Sequence, residues 1–327
     1  MEGPTEESSV GEQTQEKGVH GVTFAAEVTL SIRDLTKSYG RNRGVAGVSF
    51  DVHAGEIFGF LGPNGSGKTT TLRCIPGFLR ADSGAVRVLD HDVRTDVMAV
   101  HRSIGNLPGE FSLEDRMTGR QLLGLFARLR GLTSVPSFAD DLAERHDADL
   151  DRPMRQLSRG NKQKIGIIQA LFHRPPLLIL DEPTGGLDPL KRDEFRSLLR
   201  EASGAGQAVL FSSHNLAEVE RVADRVGVIR AGQLVAVDEP NRIAGREVRT
   251  VRIELRRPAA SEVATTIRSL PKVEDVQIGP GLITLRSTGP MDDLMKTVAR
   301  LDVSSLESER PSLDEIFQRF YSDDQRP

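Results

Sequence analysis

The segment Gly62-Pro63-Asn64-Gly65-Ser66-Gly67-Lys68-Thr69 fits the spacing GxxxxGK(S/T). Each residue type in it suits a polyphosphate. Glycines let successive backbone N–H groups curl around phosphate oxygens, and a helix starting there turns its positive end toward them. Lys68 is placed to reach the β- and γ-phosphates, and Thr69 to offer its hydroxyl to Mg²⁺. Farther along, Leu177-Leu178-Ile179-Leu180 runs directly into Asp181 and Glu182. Alone, such a run marks a strand entering a surface turn. Beside a phosphate loop it gains a second meaning: Asp181 helps hold Mg²⁺, and Glu182 polarises the attacking water.

Two weaker signals follow. LSRGNKQK at 157–164 precedes a helical pattern. A serine hydroxyl and glycine N–H groups at a helix start can bind an anion, although Ser before a helix is often only a cap. His214 follows AVLFSS at a strand end. The other six of the seven histidines, at 20, 53, 91, 101, 146 and 173, read as surface or loop residues. No histidine pair has a metal-site spacing.

The elements around these residues alternate. VTLSIRDLTKSYG, starting at Val28, alternates apolar and polar residues like an edge strand, and VAGVSFDV at 45–52 reads as a second strand. EIFGFL at 56–61 is a buried strand feeding the glycine loop, and 67–75 is the helix after it, ended by Pro76 and Gly77. Residues of about 112–156 carry helical spacing and form a helical insert. NKQKIGIIQALF, LLILD, DEFRSLLREA, AVLFSS and AEVERVA then alternate helix and strand, and RVGVIRAGQLVAV supplies paired strands. This order predicts an α/β core with a mostly parallel sheet covered on both faces. From 246 to 327 the order is strand, helix, strand, strand, helix, strand, a split βαβ (ferredoxin-like) α+β domain with a last helix at SLDEIFQRFYS.

Composition narrows the function class. The 327 residues suggest about two domains. Net charge is −4, with no tryptophan and two tyrosines, so the basic, aromatic surface of a general nucleic-acid binder is not expected. Cys74 is the single cysteine, which excludes an internal disulfide framework. Residues 1–26 are polar and acidic, read as a disordered tail, and carry no apolar core of a secretory signal.

The ordered set GPNGSGKTT, LSRGNKQK, LLILDEPTGGLD and SSH resembles the nucleotide-binding subunit of an ABC transporter, over residues 28–240. The resemblance implies a P-loop NTPase fold for 27–245. It also implies ATP and Mg²⁺ as cofactors, with Gly62 through Thr69 and Thr70 around the phosphates. Tyr39 would stack on adenine, Asp181 join Thr69 at the metal, and Glu182 act as catalytic base. His214 would contact the γ-phosphate. Ser158, Gly160 and Asn161 would close on ATP held by a second copy, with Asp188 in the loop crossing between the copies. FGFLGPNGSGKTTTLR, GNKQKIGIIQAL and PSLDEIFQRF are similar to ATPases of the ABC-2 exporter group, which includes drug and antibiotic exporters. That implies a homodimer on the cytoplasmic face of the membrane, docked on separately encoded transmembrane permease subunits through the helical insert and the loop near Gly109. No nucleic-acid partner is expected.

The pattern departs from that family in two places. Arg159 stands for the usual glycine of the signature and Asn161 for its glutamine; Gly109, followed by Glu110, stands where a glutamine should follow Pro108. Glycine cannot ligand a metal through a side chain, which makes Glu110 a suspect for that task. Two rival readings are a soluble ABC-type ATPase acting on nucleic acid and a non-catalytic, nucleotide-sensing regulator. Single-cassette organisation and acidic charge weigh against the first; intact Lys68, Asp181, Glu182 and His214 weigh against the second.

Overall fold

Short continuous apolar runs need cover on both faces, and in the computed structural model they receive it. The structure describes residues 27–40, 42–109, 116–243, 249–257, 261–289 and 291–309. The acidic tail, Glu110 and the last sequence-predicted helix lie outside the described residues.

Strands β1 (Val28–Tyr39) and β2 (Asn42–His53) lead into β3 (Ile57–Leu61), which is followed by α1 (Lys68–Cys74). Next come β4 (Ser83–Val88), β5 (His91–Asp92), α2 (Val97–Ser103) and β6 (Ile104–Leu107). The helical insert supplies α3 (Gly119–Leu129) and α4 (Phe138–Arg145), then a single 3₁₀ turn at Met154–Gln156. The core resumes with α5 (Arg159–Leu171), β7 (Leu177–Leu180), α6 (Pro189–Gly204) and β8 (Ala208–Ser213). It ends with α7 (Leu216–Glu220), β9 (Arg225–Arg230), β10 (Gln233–Asp238) and α8 (Pro240–Ile243).

The core sheet has the order β10-β9-β3-β8-β7-β6. Its pairs are parallel except β9 with β10. Alternate residues serve its two faces, as the two-residue period of a strand requires. Phe58, Phe60, Leu177, Ile179 and Leu210 enter one apolar cluster, whereas Ile57, Leu61, Leu178, Leu180 and Phe211 enter the other. The first cluster is closed by a separate antiparallel sheet of order β2-β1-β4-β5, with Phe50 stacked on Phe58 at 5.0 Å. Helices α3 to α6 furnish the second.

One expectation is corrected here. β1 is not an edge strand, because it pairs with β2 on one side and β4 on the other. Both β1 and β2 belong to the antiparallel sheet. Alternation in sequence reports one dry face; it says nothing of how many neighbours bond the backbone.

β11 (Arg249–Leu255), α9 (Ser261–Ser269), β12 (Val273–Gly279), β13 (Leu282–Ser287), α10 (Asp292–Val298) and β14 (Val303–Glu309) follow. Their antiparallel sheet has the order β12-β13-β11-β14. Val251, Ile253, Ile267, Ile283, Leu285, Leu294 and Val298 give it a core of its own.

Two of the histidines lie in turns, as expected, but buried or half-buried rather than at the surface. His146 is buried and pairs with Glu194 across 3.4 Å. The His173 Nε2 donates to Ile104 O at 3.2 Å, and the same carbonyl accepts from Arg130 at 3.0 Å, which ties the end of α3 to β6. Burial, then the Arg130 charge, pushes the His173 imidazole down to about 4. Its ordinary value is 6.5, so the unfolded chain takes up the proton first as pH falls. The stability contributed by neutral His173 is therefore complete above pH 6.5 and lost between 6.5 and 4. Urea unfolding of His173→Gln should lose about 1–2 kcal/mol less stability than the native chain between pH 7 and pH 5.

Candidate functional site

The carboxyl ends of β3, β7 and β8 lie side by side, and the loops leaving them carry the polar residues their interiors exclude. In sheets of this kind ligands bind in the crevice beyond those ends. A cavity of about 690 Å³ lies there, lined by Tyr39, Pro63 to Thr70, Asp181, Glu182 and His214.

The glycine loop is held tightly. Gly62 N donates to Ser213 O at 3.2 Å, joining the loop to the neighbouring strand. A Cβ on Gly62 would stand 2.4 Å from Ile229 O, so the loop can sit this close only without a side chain. Gly67 has φ of 108°, and a Cβ there would be 2.7 Å from Val45 Cγ1. Gly232 N donates to Ser66 O at 2.9 Å and Gly232 O accepts from Ala46 N at 2.7 Å, so the β9–β10 turn braces the loop against the first sheet. Tyr39 is half exposed at the end of β1, and its ring lies against Gly44.

Three of the sequence-selected side chains form one chain of contacts. Lys68 is 6% exposed; its Nζ donates to Gly62 O at 2.7 Å and lies 3.3 Å from Glu182 Oε1. The other carboxylate oxygen, Glu182 Oε2, is 2.8 Å from His214 Nδ1. A buried ammonium is costly unless paired, and here two carbonyls and a carboxylate share it. Glu182 has a left-handed backbone, φ 47°, rare for a residue with a side chain.

Asp181 is 4% exposed and opens on the same cavity. The donors fit a polyphosphate with a hard cation. Ser66 Oγ is buried with no hydrogen-bond partner among the described residues, in a loop whose next turn is a helix start. Thr69 and Asp181 add a hydroxyl and a carboxylate, an all-oxygen set suited to Mg²⁺, which usually takes one or two protein ligands plus phosphate and water.

The remaining sequence-selected residues lie outside this cavity. Ser158 caps α5 by accepting from Asn161 N at 3.2 Å, and Asn161 Oδ1 accepts from Asp149 N at 3.2 Å. Asp188 caps α6 by accepting from Lys191 N at 2.9 Å. Gly160 packs against the 182–188 loop, where a Cβ would stand 3.1 Å from Gly186 O. Conversely, Gly44, Arg73, Gly109, Arg159, Gln163 and Gly185 line the cavity without having been selected. Arg159 and Gln163 share a face of α5 four residues apart, the one signal that could have paired them. Gln163 Nε2 donates to Pro183 O at 2.9 Å, and the Arg159 stem lies along Gly186.

The ABC transporter family model matches residues 45–185. The daunorubicin resistance ATP-binding protein DrrA3 of Streptomyces coeruleorubidus is 34% identical over 92% of this chain and 98% of its own length. The linearmycin resistance ATP-binding protein LnrL of Bacillus subtilis is 30% identical over 88% of this chain and 96% of its own. A Nod factor export ATP-binding protein I from a Rhizobium species is 30% identical over 90% of this chain and 97% of its own. Among solved structures, an ATP-binding subunit of an ABC transporter superposes with a TM-score of 0.62 at 28% identity, over 67% of this chain and 92% of that one. A dimeric bacterial ABC transporter cassette, at 21% identity, shares the fold with a TM-score of 0.60, covering 64% of this chain and 98% of that one.

The tightness of the loop is open to test. Gly67→Ala should cost about 1–3 kcal/mol in unfolding free energy through its backbone conformation. It should also weaken nucleotide binding at least tenfold, read by a fluorescent ATP analogue alongside a thermal melt.

Proposed function

Because the chain belongs to the ABC transporter family as one of its ATP-binding subunits, we propose that it hydrolyses ATP at this cavity to power export through transmembrane permease subunits. The observation that carries the reading is the linked set Lys68–Glu182–His214 at the mouth of the glycine loop. Phosphoryl transfer to water needs positioning and charge neutralisation more than covalent chemistry. Backbone N–H groups of the loop and Lys68 hold the β- and γ-phosphates. Glu182 accepts a hydrogen bond from the attacking water and orients it in line with the γ-phosphorus. His214, bonded to the same carboxylate, fixes that carboxylate and reaches the γ-phosphate edge. Thr69 and Asp181 hold Mg²⁺, which when bound neutralises charge on the phosphate oxygens. Tyr39, at the outer end of the cavity, takes the base.

Ser158, Gly160 and Asn161 sit at the rim of their own chain's cavity: Arg159 between them and Gly185 beside them line it, and they themselves do not. This placement supports a role toward ATP bound by a second copy, in a dimer that closes over two nucleotides. A solved cassette that shares the fold is itself dimeric.

A second surface supports the permease partner. α2, β6 and the end of α3 border an apolar cavity of about 620 Å³ lined by Phe78, Met98 and Leu129, with Arg102 and Arg128 at its margin. These three apolar side chains are 62%, 61% and 71% exposed, more apolar surface than a lone cassette has reason to keep wet. No helix among the described residues is long and apolar enough to cross a membrane. In this reading a membrane partner supplies the pathway, and with it substrate selectivity. The relatives' names, daunorubicin resistance, linearmycin resistance and Nod factor export, make drugs, antibiotics or Nod factors the substrate class of this proposal.

Glu182→Gln should slow hydrolysis about 100-fold or more while ATP binding persists. Its ATP-bound form should run as a dimer on size exclusion; unchanged turnover would overturn the reading. Lys68→Ala should instead lose nucleotide binding. The double change Phe78→Asp with Leu129→Asp should leave binding of the ATP analogue intact yet abolish recovery of the permease from detergent-solubilised membranes.

A further inference from the structure

β8 reads AVLFSS, and every residue of it is buried. Four apolar residues serve the two faces of the sheet, and the strand then ends in two hydroxyls. Ser212 is 0% exposed, on the side of the strand that Ala208 and Leu210 turn toward the apolar cluster. A buried hydroxyl must find partners. Ser212 finds them on the neighbouring strand exit. Its Oγ donates to Asp181 Oδ1 at 2.6 Å and accepts from Glu182 N at 2.9 Å. One hydroxyl thus joins two consecutive residues that hold different parts of the reaction.

The consequences for the two residues differ. Asp181 Oδ1 is occupied by Ser212, which leaves Oδ2 as the oxygen turned toward Gly109, where a Cβ would stand only 3.0 Å away. Gly109 and Asp181 both line the cavity, so the bare side of Gly109 is what gives Oδ2 room. Glu182 has φ 47°, a backbone conformation that persists only when its surroundings hold it. The bond from Glu182 N to Ser212 is one such hold, and the side chain that leaves this turn is the one shared by Lys68 and His214.

We propose that Ser212 is a positioning residue for hydrolysis: its hydroxyl orients Asp181 so that Oδ2 faces the divalent cation, and pins the Glu182 peptide so that the carboxylate points at Lys68 and His214. The inference rests on the reading of Asp181 as a cation ligand. Groups that hydrogen-bond to a metal ligand typically change metal affinity or activity about 10–100-fold when removed.

The test uses the full chain, a fluorescent ATP analogue and Mg²⁺ titration, with Ser212→Ala and Ser212→Cys. Cysteine keeps the volume with a weak donor, and carries the test should the alanine variant not fold. Binding of the analogue in excess chelator should match the native chain, which reports an intact nucleotide pocket. The Mg²⁺ midpoint for tighter binding should rise about tenfold or more in both variants. At saturating Mg²⁺, kcat should fall at least tenfold with KM for ATP within about twofold, a split that general loosening of the fold would not give. Midpoints unchanged within twofold in either folded variant would overturn the inference. Asp181→Asn separates the two levels. If it moves the midpoint and the Ser212 variants do not, only the role of Ser212 falls; if Asp181→Asn leaves the midpoint in place, the cation assignment falls and this inference with it.

Discussion

A strand covered on both faces can keep charged groups only beyond its ends, and this constraint organises the molecule. β3, β7 and β8 are buried along their whole length. Their polar residues therefore collect at the carboxyl ends: the glycine loop after Leu61, the acidic pair after Leu180, and two serines with a histidine at the end of β8. Parallel alignment sets these three exits side by side, so residues more than a hundred positions apart in the chain meet within hydrogen-bond distance.

Once gathered, the charges must be offset. Lys68 is nearly excluded from water, and without Glu182 and the loop carbonyls its ammonium would carry an uncompensated desolvation cost of several kcal/mol. Glu182 answers two cationic partners at once, Lys68 and, when protonated, His214. The backbone conformation that permits this is itself unfavourable, of order 1–3 kcal/mol. Strain of that kind is sustained by the hydrogen bonds around it, here to Ser212 and at the Pro183 carbonyl held by Gln163.

The antiparallel sheet and the helical insert do different work around this centre. The first sheet braces the phosphate loop through Ala46, Gly232 and Ser66, and brings Tyr39 to the cavity's outer end. The helical insert closes the second core and leaves Leu129 exposed beside Phe78 and Met98. Arg130 ties that region to β6, the edge strand of the sheet in which β3, β7 and β8 end at the site. The insert thus lies mechanically close to the cavity, through α5 and the loop that Gln163 holds.

The sequence by itself determined the phosphate loop, the acidic pair, His214 and the strands and helices that carry them. Those depend on local spacing and on apolar runs, which are written in consecutive residues. Tertiary structure alone decided that β1 is interior, because backbone pairing leaves no mark in side-chain alternation. It also decided which residues share the cavity. Gly109, after β6, and the α5 pair Arg159 and Gln163 belong to separate segments, and nothing in their own neighbourhoods says which strand end they will face. Asp181 and Glu182 could be read from the chain as a pair of acids. Their orientation comes from a hydroxyl 31 residues away from the first of them, across a strand pairing that only folding creates.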